Sequence, residues 1–160
     1  MTRRLSQAKF AAVTIAALGM FALTGCAGAA PQPQPSTPAP DAACTEVAVV
    51  VDFGALGAPS LDDCVGAGAA LDVLDEAGVT TEGTLDYGDQ VVCRVNDQPA
   101  PETESCATLP SGAYWALWVK PTADAEWEYA QEGVATLELV DGQSVGLVYT
   151  EGSDSTPPEG

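Results

Sequence analysis

Apolar positions fall into three regimes along this chain. From Phe10 to Leu23 they are nearly continuous, interrupted only by Thr14 and Gly19. From residue 27 to 43 they give way to Ala, Pro, Gln, Ser and Thr without period. From residue 44 onward they alternate with polar positions at the spacings of strands and helices. Glu46 to Phe53 is β-branched and almost unbroken, which predicts a central strand. Val65 to Ala77 repeats at helical spacing: Ala67, Ala70, Leu71, Leu74 and Ala77 share a face, and Asp72, Asp75 and Glu76 point away from it. Asp62 or Asp63 is expected to cap that helix at its start, and Gly78 to end it in the left-handed conformation.

Strands follow. Tyr87-Gly88-Asp89 predicts a turn into Gln90–Val95, and Asn96-Asp97-Gln98-Pro99 a turn out of it. Ala113–Lys120 is expected to be a strand stopped by Pro121. Glu126–Ala130, Ala135–Val140 and Val145–Thr150 read as further short strands. Asp141-Gly142 predicts a hairpin between the last two. One helix among several strands implies an α+β domain: a small, mostly antiparallel sheet with the helix packed on one face, β-grasp-like in outline.

The apolar run at the start follows Arg3, Arg4 and Lys9 and ends in Leu23-Thr24-Gly25-Cys26. Its 14 residues fall short of the roughly 20 that a spanning helix needs, so it reads as an export signal. The four residues that end it resemble the lipobox of bacterial lipoproteins. That resemblance implies cleavage before Cys26 and a diacylglyceryl group on its thiol. Two acyl chains, at about 0.8 kcal/mol per buried methylene, make a stable anchor where one does not. Arg3-Arg4 partly resembles a twin-arginine signal, but the general export route is favoured. The expected organisation is a signal over 1–25, lipidated Cys26 and a proline-rich tether over 26–43, a single domain over 44–150, and a disordered tail over 151–160. Pro31, Pro33, Pro35, Pro38 and Pro40 favour extended geometry in the tether. The tail shows no apolar anchor.

Charge narrows the partners. All 23 acidic residues lie at or beyond Asp41, where Arg94 and Lys120 are the basic residues, so the part after the signal carries 2 − 23 = −21. Such a surface repels nucleic acid and anionic headgroups, which leaves the lipid to hold the protein at the membrane. Apart from Cys26, four cysteines remain: Cys44, Cys64, Cys93 and Cys106. An even number in an exported domain predicts two disulfides. Three pairings are open. The local one, Cys44–Cys64 with Cys93–Cys106, is preferred because it ties the first strand to the approach of the helix and closes the Asp97–Ser105 loop. The chain has no histidine and no Cys-x-x-Cys pair, which argues against a zinc site and an activated cysteine nucleophile. No phosphate loop, nucleophile elbow or complete calcium loop occurs. A non-enzyme without cofactor or metal is expected.

Aromatic residues concentrate late, at Tyr114, Trp115, Trp118, Trp127, Tyr129 and Tyr149. On a strand, Tyr114, Ala116 and Trp118 face one side and Trp115, Leu117 and Val119 the other. A helix covers one side of a sheet, so part of this set is expected on an exposed face that binds a ligand. The candidates are Tyr114, Trp115, Trp118, Trp127 and Tyr129.

The residues Val49-Val50-Val51-Asp52-Phe53-Gly54, Val92-Cys93-Arg94-Val95-Asn96, Tyr114-Trp115-x-x-Trp118, Trp127-x-Tyr129-x-x-x-Gly133 and Gly142-x-x-x-Gly146 resemble exported bacterial domains similar to the C-terminal domain of transcobalamin. The resemblance implies a small sheet-plus-helix fold and, by kinship, an accessory role in vitamin uptake. In transcobalamin the domain closes over one face of cobalamin opposite a large helical domain. This chain carries no such helical domain, so it is not expected to enclose a corrinoid alone. The functional expectation is a membrane-anchored extracytoplasmic binding module for a small molecule. The alternative is an envelope lipoprotein that docks on a transporter or another surface protein.

Overall fold

A computed structural model describes residues 44–159. The export signal, Cys26 and the tether lie outside the described residues. The described residues are mixed α/β and mostly strand, with one short α-helix among them. A five-stranded sheet carries the fold: β1 (Val47–Asp52), β2 (Leu61–Val65), β6 (Ala113–Lys120), β7 (Glu128–Tyr129) and β9 (Ser144–Glu151), in the spatial order β2-β1-β9-β6-β7. Two smaller ladders join β3 (Gly68–Ala69) to β8 (Glu138–Leu139) and β4 (Thr81–Thr84) to β5 (Gly88–Val95). The helix, α1, spans Ala70–Glu76.

β1 is central because both its faces and both its edges are used. Val47, Val49 and Val51 are fully buried on the inner side. One edge pairs antiparallel with β2, and the other pairs in parallel with β9, placing Val49 opposite Val145 and Val51 opposite Leu147. The other pairings among the described strands are antiparallel. On the inner face these valines pack with Val145, Leu147 and Trp115 of the sheet, with Ala70, Val73, Leu74 and Ala77 of α1, and with Val79, Val92 and Val95 on and beside the β4–β5 ribbon. The inner layer is therefore a helix and a ribbon together.

The helix is shorter than the Val65–Ala77 expected. Residues 61–65 are claimed by β1, with Val65 opposite Val47 and Cys64 opposite Ala48. The small Gly66-Ala67-Gly68 run then supplies little helix propensity. Asp62 and Asp63 consequently lie on β2, exposed, and cap nothing; the cap position is Ala69, which makes no side-chain bond. The helix end agrees with expectation. Gly78 has φ +73°, its N–H donates to the carbonyl of Asp75 at 2.9 Å, and Val79 N–H donates to Leu74 at 2.8 Å. These two bonds form a Schellman motif, closed by the buried Val79.

Asp141-Gly142 is a turn, with Gln143 N–H donating to Val140 at 3.1 Å, but the hairpin expected there does not form. β8 pairs with β3, while β9 enters the sheet between β1 and β6. Glu138 and Leu139 face a strand distant in sequence, which turn chemistry alone does not reveal.

Both disulfides take the local pairing. Cys44–Cys64 spans 20 residues and ties the entry of β1 to β2, and Cys93–Cys106 spans 13 and closes the loop after β5. Arg94 reinforces that loop. Its guanidinium is buried and donates to the carbonyl of Pro99 at 2.9 Å, to the carbonyl of Glu104 and to the carboxylate of Glu82.

Candidate functional site

The outer face of the sheet is built from alternate residues of β6 and β9. Ala116, Trp118 and Val148 form a second apolar cluster, with Tyr114 and Trp127 packed against it. Tyr129 on β7 lies opposite Trp118 and stacks on it, with ring centroids 4.0 Å apart and planes inclined at 26°. Lys120 Nζ sits 4.8 Å from the Trp127 ring centroid, in cation–π range. The centre of the face is Gly146, opposite Trp118 on β6 and Val50 on β1. A glycine here leaves a trough between flanking side chains.

Four of the five aromatic candidates meet on this face: Tyr114, Trp118, Trp127 and Tyr129. Trp115 does not. It is the inward member of the β6 alternation, 6 % exposed, edge-on to Phe53 at 5.4 Å and to Tyr149 at 5.3 Å. Its indole N–H donates to the carbonyl of Gln98 at 3.2 Å. Strand parity turns Trp115 to the inner side, where it packs with Phe53 and Tyr149 and bonds to the turn after β5.

The expectation of an unanchored tail is also corrected. Gly152, at φ +83°, donates its N–H to the carbonyl of Gly112 at 2.7 Å, and the following residues meet the outer face. Ser155 Oγ accepts from Trp118 Nε1 at 3.3 Å and from Thr150 Oγ1 at 2.7 Å. Pro158 is buried against Gly146: a Cβ added to that glycine would lie 2.7 Å from Pro158 Cγ and 3.2 Å from Trp127 Cζ3. Gly146, Ser155 and Pro158 are thus parts of the site that strand periodicity did not select. Their signal in the sequence is a glycine inside an otherwise apolar strand, which marks close approach of another segment, and a Pro-Pro pair.

Two cavities flank Tyr114. One, about 360 Å³, runs beside residues 114–117 of β6, where Gln90, Val91, Tyr114, Tyr129, Gln131 and Glu132 contribute to its walls. The other, about 240 Å³, is bounded by the disulfide-closed loop and by Glu104, Tyr149 and Glu151. The Tyr114 hydroxyl is held above its ordinary titration range by a hydrogen bond with Tyr129, then by burial and by the charges of Tyr129 and Asp154. Tyr149 is raised chiefly by burial and then by the carboxylates of Glu151 and Glu104. Among the described residues no cluster of three or more acidic, cysteine or histidine side chains is placed to hold a metal ion, and no helix is long and apolar enough to cross a membrane.

No protein-family model, no curated protein and no solved structure matches this chain.

Proposed function

We propose that the protein is a non-catalytic binding module, exported and held at the extracytoplasmic face of the membrane by acyl chains on Cys26, and that the outer face of its sheet is the ligand platform. The observation that carries this reading is the convergence of Tyr114, Trp118, Trp127 and Tyr129 on the face opposite α1. Large rings gathered away from the main core supply broad, flat contact area with little side-chain entropy to lose. A small, flat or apolar molecule suits that surface. The strand order supports a β-grasp-like description: the β1–β2 hairpin leads to the helix, and β1 lies parallel to the last strand at the centre of the sheet. That outline agrees with the transcobalamin-like resemblance, which makes a vitamin-like ligand the first class to try.

The docking alternative has an observation of its own. What packs over the platform is a peptide segment, residues 153–158, so the face is shaped to accept polypeptide.

The test is titration of the full chain with candidate small molecules, cobalamin included, followed by tryptophan fluorescence. Saturable quenching that weakens in Tyr129→Ala is expected, because Tyr129 is 43 % exposed and can be removed without opening the core. Quenching indifferent to this change, or absent throughout, overturns the platform. Anchoring is tested separately: Cys26→Ser should move the protein from the membrane fraction to the soluble one once unprocessed precursor is excluded.

A further inference from the structure

The C-terminal segment lies on the aromatic face as a ligand would. Ser155 meets the Trp118 indole N–H, Tyr114 Oη reaches the carbonyl of Ser153 at 3.5 Å, and three residues beyond Ser155 the Pro158 ring fills the trough over Gly146 beside Trp127. We infer that this face recognises an extended, proline-containing peptide of a partner protein, and that Ser153–Pro158 is an internal strap that occupies the groove until the partner displaces it. The inference rests on the outer face being the binding platform, and it names the class of partner.

Three observations support it. The groove has the parts that polyproline recognition uses: ring walls from Trp127 and the stacked Trp118–Tyr129 pair, a floor without a side chain at Gly146, and an indole donor to fix register. The occupant has matching chemistry. Adjacent Pro157 and Pro158 hold their backbone extended, so little conformational entropy remains to be lost on docking. The fit is also incomplete. Trp127 Nε1 is buried with no hydrogen-bond partner among the described residues, an arrangement that carries a desolvation cost. The strap leaves β9 through the Gly152 turn, and its contacts with Trp118, Tyr114 and Gly146 are made beyond the end of that strand.

The experiment compares the full chain with its Pro158→Gly variant, each titrated with the synthetic peptide Ser-Asp-Ser-Thr-Pro-Pro-Glu and with the same peptide bearing alanine at both prolines. Tryptophan fluorescence reports binding, and circular dichroism verifies the fold. A tethered internal competitor acts at about millimolar effective concentration, so the variant should bind the proline peptide about tenfold more tightly than the unmodified chain. The alanine peptide should not bind. Equal affinity in both proteins, or equal binding of both peptides, overturns the inference. So does self-association of the variant, which would make a second copy the occupant; its tether carries the same Ser-Thr-Pro order at Ser36-Thr37-Pro38. If the variant ignores both peptides while small molecules still quench in a Tyr129-dependent way, the strap inference fails and the platform stands. If neither class binds, both fall.

Discussion

The indole N–H of Trp115 donates to the carbonyl of Gln98 at 3.2 Å, a bond that joins the centre of β6 to the turn after β5. Around it, Phe53 and Tyr149 meet the same ring edge-on. Trp115 thus links the sheet, the disulfide-closed loop and the core. Trp115→Ala should cost about 3–5 kcal/mol in urea denaturation, the range for a large aromatic removed from a packed interior. Tyr129→Ala, which loses a stacked ring at the surface, should cost about 1 kcal/mol. Similar losses at the two positions would contradict the division of the sheet into a structural and a binding face.

Arg94 serves three acceptors from a buried position: the carbonyls of Pro99 and Glu104 and the carboxylate of Glu82. Arg94→Met should destabilise by about 3 kcal/mol, since two loop carbonyls lose a charged donor. Arg94→Lys should recover only part of this, because one ammonium cannot span the fork. Glu82→Gln should change stability by less than about 1 kcal/mol, because the Glu82 side chain is 57 % exposed. Chemical denaturation of the three variants gives the ranking.

The disulfides are checked by mass. Denatured but unreduced protein should leave Cys44, Cys64, Cys93 and Cys106 unalkylated, and reduction should expose all four. Peptide mapping should recover Cys44 with Cys64 and Cys93 with Cys106. Replacing both Cys93 and Cys106 by alanine should cost about 3 kcal/mol on the chain-entropy account.

Gly133 faces backbone at close range: an added Cβ would lie 2.4 Å from the carbonyl oxygen of Gln90 and 3.0 Å from its Cα. Neither atom can rotate away. Gly133→Ala should therefore destabilise by about 2 kcal/mol, as overpacking does, and lower the thermal midpoint. A neutral substitution would mean that the Val134 segment does not approach β5 this closely.

Alkaline pH should weaken the fold. The phenols of Tyr114 and Tyr149 are raised above 10.0, the first mainly by its bond with Tyr129 and the second mainly by burial. The folded state then holds these protons more tightly than the unfolded chain. Their contribution is fully present below the ordinary phenol value and is lost as pH rises through the folded values. The urea midpoint should fall in that alkaline window, together with the absorbance change of phenolate formation. A Tyr129→Phe variant should bring the titration of Tyr114 back toward its ordinary value.

Strand periodicity was legible where one face is dry and the segment is long. Ala113–Lys120 coincides with β6 residue for residue, and its alternation assigns Trp115 and Trp118 to opposite faces correctly. β2 was not legible: Leu61-Asp62-Asp63-Cys64-Val65 is acidic and mostly exposed, and it is a strand because β1 offers it a ladder and Cys44 a covalent tie. β3 and β4 are equally short of apolar pattern; the partner of β3, β8, lies far away in sequence, whereas β4 pairs with the next strand, β5, across residues 85–87.

Local chemistry thus determined what local forces control: the central valine strand, the Gly78 helix end, the turn after β5, and the division of the β6 rings between two opposite faces; it favoured the local disulfide pairing among three. Tertiary structure decided the rest. It set β1 parallel to β9, gave β8 to β3 instead of to its neighbour in the chain, and shortened the helix from its start. It also laid Pro158 into the space left by Gly146. Each of these depends on hydrogen-bond ladders or steric vacancies between segments remote in sequence, whose free energy appears only when both partners are in place.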